Sequence, residues 1–304
     1  MNLRTSSGST DFAEGGLSVT QRSALTWAAV FSVFAVLINY STMVWLVGIW
    51  NSNPDYSHGF FVPLISMYLL YHRRELLNGA DMGRNSLGAT ITGIVLIVLA
   101  LMMKLFGIYS PIITLEAFSL IPLLLGIVVL CAGFKALYWA APAILFLVFM
   151  IPLPRMVSSM MSGQLQSLAT ICATYALQTF GVPAVSNGNI ITLSDQVVGV
   201  AEACSGIRML YSFFALSVGL CLVIDRPIWE RIVLCLSAGV IAVLANLFRI
   251  VVTALAYEYG DPEFAEKLFH DFAGWMMMPL AMILLWLELQ FLSRVFIEDS
   301  PRTA

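Results

Sequence analysis

Charge is what this sequence has least of. Only 11% of its 304 residues are Asp, Glu, Lys or Arg, where a soluble domain carries about a quarter, and the mean hydropathy is +0.88. A chain dissolved in water is excluded. Histidine is nearly absent, at three residues, and the five cysteines (Cys131, Cys172, Cys204, Cys221, Cys235) contain no CxxC pair. An odd, scattered set argues against a disulfide framework, and with so few histidines against a zinc site. No metal and no cofactor is expected. The opening residues lack the apolar core and small-residue cleavage site of a signal peptide. Rich in Ser, Thr and Gly, residues 1–22 read as a disordered cytoplasmic tail. The formal charge of −3 says little about partners, because placement of charge matters more than its sum in such a chain. No nucleic-acid partner is expected.

What is present is a series of apolar runs, several of them reaching the ~20 residues that cross a bilayer core. Eight spans are predicted: 24–47, 59–72, 87–105, 112–132, 137–153, 206–224, 232–255 and 273–292. The fold class is therefore an all-α polytopic membrane protein with about eight transmembrane helices. One membrane-embedded domain is expected over 23–295, with a cytoplasmic tail over 296–304. The second span is short and opens "SHGFFVPL", so a tilt or break at Pro63 is expected. Orientation follows from the loops. With the N-terminus inside, Arg4, Arg22, Arg73, Arg74, Arg84, Lys135, Arg226, Arg231, Arg294 and Arg302 lie inside, ten of the fifteen basic residues. Both termini are then cytoplasmic. Glu116, an acid within the fourth span, is expected opposite Lys104 of the third.

Residues 156–194 carry no charge, and 156–180 has helical periodicity. Val157, Met160, Met161, Leu165, Leu168, Ile171, Cys172 and Tyr175 form an apolar stripe, with Ser, Thr and Gln across from it. This is an amphipathic helix, laid on the outer surface or packed against the bundle. After it, Asn187-Gly188 is a hairpin turn signal flanked by β-branched residues (Val185; Ile190, Ile191, Thr192; Val197, Val198), so a small outer β-hairpin is expected.

That hairpin leads into "VGVAEACSGIRML", residues 198–210 in the run that starts at Val198. Cys204 opens the sixth span from outside, Arg249 lies toward the outer end of the seventh, and His270 opens the eighth. Three helices thus bring a thiol, a guanidinium and an imidazole to one side. Thiol acyl transfer uses such a set: a thiolate favoured by a nearby cation or helix N-terminus attacks a carbonyl, a histidine moves the proton, and an arginine stabilises the oxyanion. Each residue alone has a blander reading: Cys204 as a small core hydrophobe, Arg249 snorkelling to headgroups, His270 as an interfacial or capping residue. Arg208, four residues after Cys204 and so on its helix face, tunes the thiol, binds an acidic substrate residue, or pairs with Glu202. Asn246 shares the face of Arg249, orienting it or making an ordinary interhelical bond. His58 lines a substrate cleft or caps the second span, and the Ser205 amide is a candidate oxyanion donor.

The motifs "YSHGFFVPLISMYLLYHRR" (56–74), "IPLP" (151–154), "EACSGIRML" (202–210), "NLFRI" (246–250) and "HDFAG" (270–274) resemble those of the exosortase/archaeosortase family, membrane transpeptidase-like enzymes analogous to the soluble sortases but unrelated in fold. The resemblance covers about 50–295. It implies a bacterial inner-membrane thiol protease or transpeptidase with Cys204 as nucleophile, His270 as general acid/base and Arg249 as third catalytic residue. Its implied partners are membrane-anchored secreted proteins with a C-terminal sorting tail, namely a Pro-Glu-Pro-type motif, a transmembrane helix and a basic cluster. A glycan or lipid-linked acceptor and membrane lipid complete the set. Histidine at 270 fits the bacterial branch. Some members carry a further soluble C-terminal domain, where this sequence ends "FIEDSPRTA", so the subfamily stays open.

The rival class is a transporter or flippase subunit for cell-surface polysaccharide. It calls for polar residues through the depth of several spans, whereas these gather at one side. The orientation is directly testable: alkaline phosphatase fused after residue 180 is expected to be active and after residue 226 inactive. The opposite pattern inverts the assignment.

Overall fold

The computed structural model describes residues 18–77, 86–110, 112–194, 196–200, 207–260 and 273–295. It is mostly helical (84%), with one small sheet. The chain divides into two compact units, Met1–Tyr40 with Met67–Leu145 and Ser41–Ser66 with Phe146–Ala304.

In the first unit, α1 spans Val19–Ile38 and begins ahead of the expected boundary at 23. Ser18 accepts from the Gln21 amide at 3.2 Å and its own N–H donates to the Gln21 side chain at 2.7 Å, a capping box that nucleates the helix early. Asn39 separates α1 from α2 (Tyr40–Ser52). Its side-chain amide donates to the Ala35 carbonyl and its oxygen accepts from Lys104 Nζ, both at 2.7 Å. Lys104, expected opposite Glu116, is thus engaged by a neutral amide instead. Helix α3 (Phe61–His72) runs unbroken through Pro63, because the first turn of a helix does not need the N–H that proline lacks. Its 12 residues rise about 18 Å, short of the ~30 Å hydrocarbon core.

Helix α4 (Leu87–Tyr109) packs on α5 (Ile113–Phe118) and on α6 (Leu120–Phe146). Gly133 interrupts α6 with φ +81° and ψ −176°, a conformation open to glycine and strained for other residues. The loop expected between the fourth and fifth spans is reduced to that one residue. α4 and α6 cross on a pair of glycines. A Cβ on Gly93 would lie 2.9 Å from Leu130 Cβ, and one on Gly126 would lie 2.8 Å from Ile97 Cγ1 and 3.0 Å from the Gly93 carbonyl. Backbones this close are the usual means of helix association where lipid tails are as apolar as the side chains.

Among the described residues, four helical stretches are long and apolar enough to cross a membrane: Val19–Ile38, Leu87–Tyr109, Ile113–Met150 and Ile228–Tyr259.

In the second unit, α7 (Arg155–Thr179) packs along α9 (Ile228–Tyr259) and against the sheet. The expected apolar stripe faces away from them: Val157, Met160, Leu168, Ile171 and Tyr175 are exposed, while Ala169, Thr170, Ala173, Thr174 and Leu177 are buried. The buried threonines satisfy their hydroxyls on carbonyls one turn back, Gln166 and Thr170, both at 2.8 Å. Small residues on the inner face allow close approach.

The expected hairpin is the first part of a three-stranded antiparallel sheet, β1 (Val185–Asn187), β2 (Ile190–Thr192) and β3 (Val197–Gly199), in that order. Asn187 pairs with Ile190, so the two loop residues are Gly188 and Asn189, one position on from the sequence reading. Gly188 has φ +61° and no non-glycine residue described has positive φ. That leaves glycine alone at the first loop position, the type II′ pattern. Ile191 and Val198 point inward to a core shared with Ala173 and Leu177 of α7 and Ile250, Val251 and Ala254 of α9. Helices α8 (Ile207–Val223) and α10 (Ala273–Val295) complete the unit.

Replacing Gly126 by leucine is expected to lower the midpoint of thermal unfolding in detergent by several degrees, because the α4–α6 crossing cannot open without losing its backbone contact. An unchanged midpoint would show that the crossing contributes nothing to stability.

Candidate active site

The sequence "FMIPLP" (149–154) explains the centre of the second unit. Proline has no N–H, so Pro152 and Pro154 cannot supply the helical bonds that the carbonyls four residues earlier, Val148 and Met150, would accept. The chain leaves α6 as a single 3-10 turn, Leu147–Met150, and Ile151 is extended, as expected before proline. The carbonyls around this break accept from side chains of three other elements. Trp50 Nε1 of α2 donates to Met150 O at 2.8 Å. His58, in the 3-10 helix Pro54–Phe60, bonds through Nε2 to Phe149 O at 3.1 Å. Tyr211 of α8 donates its hydroxyl to Val148 O at 3.3 Å or Ile151 O at 3.0 Å. The rings also touch, with Tyr211 edge-on to both Tyr56 and His58. Gly59 gives this junction its tightness: a Cβ there would run into the Trp50 indole.

His58 is only 9% exposed, and its other ring nitrogen, Nδ1, lies 3.1 Å from the Ser212 hydroxyl of α8. The histidine expected at a substrate cleft is therefore engaged within the fold. Sequence reasoning missed Trp50, Tyr211 and Ser212. The signal available was the pair of prolines, which announces unpaired carbonyls and hence a need for donors.

Through Tyr211 and Ser212 the start of α8 is anchored on this turn. Helices α8 and α9 are joined by residues 224–227 alone and run antiparallel. Cys221 Sγ meets Cys235 Sγ at 3.7 Å near the join, and Phe213 packs with Ala242 and Ala245 further along. Each step back along α8 is matched by a step forward along α9, which brings Arg249 level with the first turn of α8, where Arg208 lies. Helix α10 runs antiparallel to α9 in the same way. Ser237 donates to Glu288 at 2.7 Å, and Leu280 packs beside Phe213, Ala242 and Ala245. The first turns of α10 consequently reach the height of Arg249 as well.

Arg249 is 6% exposed and Asn246, one turn before it on the same face, 2%. A guanidinium so enclosed is costly to desolvate and is held for a reason other than packing. Further along α9 the sheet is tied to that helix at the Ser194–Glu258 bond of 2.6 Å. The loop after β3 is fixed to α7, where Gln166 Nε2 donates to Val200 O. Cys204, Glu202, Ser205 and His270 lie outside the described residues. In the sequence Cys204 stands three residues before Ile207, where α8 begins, and His270 three residues before Ala273, where α10 begins.

A family model described as transmembrane exosortase matches residues 50–287. The chain belongs to the transmembrane exosortase family. No curated protein and no solved structure matches it. The matched span contains every side chain of the exosortase junction described above, from Trp50 through His58, Tyr211 and Arg249 to the first half of α10.

Removing one donor to the released carbonyls leaves a buried acceptor short of a partner, which costs about 1–3 kcal/mol. Tyr211→Phe and Trp50→Phe are each expected to lower detergent stability by that amount, read from urea or thermal unfolding. Wild-type stability in both would mean that the carbonyls find other donors.

Proposed function

We propose that the protein is a membrane cysteine protease or transpeptidase that removes the C-terminal sorting tail of secreted proteins and transfers the new carboxyl end to an acceptor. The observation that carries this reading is the buried guanidinium of Arg249, level with the starts of α8 and α10. The sequence leads into those two helices from Cys204 and His270. Membership of the exosortase family supports the same reading.

In this mechanism the Cys204 thiolate attacks the scissile carbonyl carbon, and the electron pair of the C=O moves to oxygen. Arg249 donates to that oxyanion, which Asn246 helps to orient. A protonated His270 gives its proton to the departing amine as the C–N bond breaks, leaving a thioester and a neutral imidazole. The imidazole then takes a proton from the incoming hydroxyl or amine of a glycan or lipid-linked acceptor, which displaces the thiolate. Arg208, four residues beyond Cys204 in the sequence, favours the thiolate. The site opens to the periplasmic face of the bacterial inner membrane, with both termini cytoplasmic, in a bundle of about eight spans. The substrate tail carries a Pro-Glu-Pro-type motif before its own helix and basic cluster.

Co-expression with a reporter bearing such a tail tests the reading by immunoblot. Wild type is expected to shorten the reporter, and Cys204→Ala to leave it full length. Equal shortening by Cys204→Ala removes the nucleophile and the mechanism with it. Arg249→Lys keeps the charge but loses the planar fork of donors. A processing rate lower by roughly a hundredfold or more is expected, the usual loss for an oxyanion donor. A near-normal rate would assign Arg249 a structural role.

A further inference from the structure

The Phe149 carbonyl can only accept, so the nitrogen facing it, His58 Nε2, carries the proton. In the neutral ring Nδ1 is then an acceptor, and the Ser212 hydroxyl must donate to it. His58 thus bridges the turn where α6 ends to the second turn of α8. Ser212 is 4% exposed, which rules out a serine nucleophile reached from outside despite the Ser–His contact. In the sequence Cys204 stands eight residues before Ser212 and three before Ile207, where α8 begins. Tyr211, the neighbour of Ser212, holds the same turn of α8 to the carbonyls of Val148 and Ile151.

We propose that His58 is a positioning residue for the thiol: the Phe149–His58–Ser212 bridge fixes the rotation and height of the start of α8, and so sets Cys204 opposite Arg249. This rests on Cys204 being the nucleophile. In this role His58 acts through α8 and not on the substrate. The bonds to Phe149 and Ser212 act as one unit, since the loss of either parts the start of α8 from the turn that ends α6.

The full-length protein is tested in detergent with two readouts. One is processing of the tailed reporter. The other is the rate at which iodoacetamide alkylates Cys204, resolved from Cys131 and Cys221 by peptide mass spectrometry. It needs no substrate. His58→Ala and Ser212→Ala are each expected to slow processing roughly tenfold or more, as a small misplacement of a reacting group does. Each is also expected to change the Cys204 alkylation rate, with the double variant no worse than the poorer single. Cys131 and the buried Cys221 should keep their wild-type rates. His58→Asn, which retains an acceptor for Ser212 but not the bond to Phe149, should be impaired as well. Losses that multiply in the double variant overturn the bridge, as do wild-type rates at Cys204. Faster alkylation of Cys131 and Cys221 together with Cys204 also overturns it, because the pair would then hold the fold as a whole. Processing by Cys204→Ala would instead defeat the proposed function, while the alkylation rates still report on the bridge.

Discussion

Two prolines flanking a single leucine at one helix end, Pro152 and Pro154, withdraw amides that the carbonyls one turn earlier would otherwise bond. In a chain built to lie in hydrocarbon such carbonyls cannot rely on water and must be met by protein donors. An indole from α2 meets Met150, and an imidazole from the 3-10 helix that follows and a phenol from α8 bond the neighbouring carbonyls of Phe149 and Ile151. Much of the second unit is organised by this need. It fixes where α8 starts, and the antiparallel pairing of α8 with α9 carries that placement to Arg249.

A second constraint is the cost of enclosing a guanidinium. Arg249 is buried one turn after Ala245 on α9, and the residues that follow it, Ile250 and Val251, pack into the core that α7 and the sheet provide. Helix α7 turns its alanines and threonines toward that core and its methionines away. The polar face read from the sequence is therefore the packing face. The sheet, though only three residues deep per strand, is fastened at the Ser194–Glu258 bond and at the Gln166–Val200 bond. It joins α7 to α9 at the end where Arg249 lies.

How much of this could be read from the amino acids depends on the kind of signal. Apolar runs of about twenty residues and the Gly188 turn are local, and they gave helices and strands close to their observed places. The apolar stripe of α7 was also legible, but not which side it would face, because in a membrane protein a large apolar side chain is as well placed outside as in. The break at Pro63 was misjudged because position within the first turn decides what a proline costs. The pairing of Lys104 with Asn39 rather than Glu116 could not be read at all, since it depends on which turns of α1 and α4 meet. For the site, residue chemistry singled out Arg249, Asn246 and His58. It could not show that His58 faces a serine and a carbonyl, which is a matter of tertiary register.

The proposed mechanism requires Cys204, three residues before α8, to reach Arg249 of α9. The most direct test is a disulfide trap: with Cys131, Cys172, Cys221 and Cys235 changed to serine, Asn246→Cys is placed one turn from Arg249 and the protein is oxidised with copper phenanthroline. Rapid formation of a disulfide between Cys204 and the thiol introduced at position 246, detected in the intact chain by mass spectrometry, is the expected result. Failure of that bond to form, while Ala242→Cys, a full turn deeper on α9, reacts readily with Cys204, would contradict the placement and the mechanism built on it.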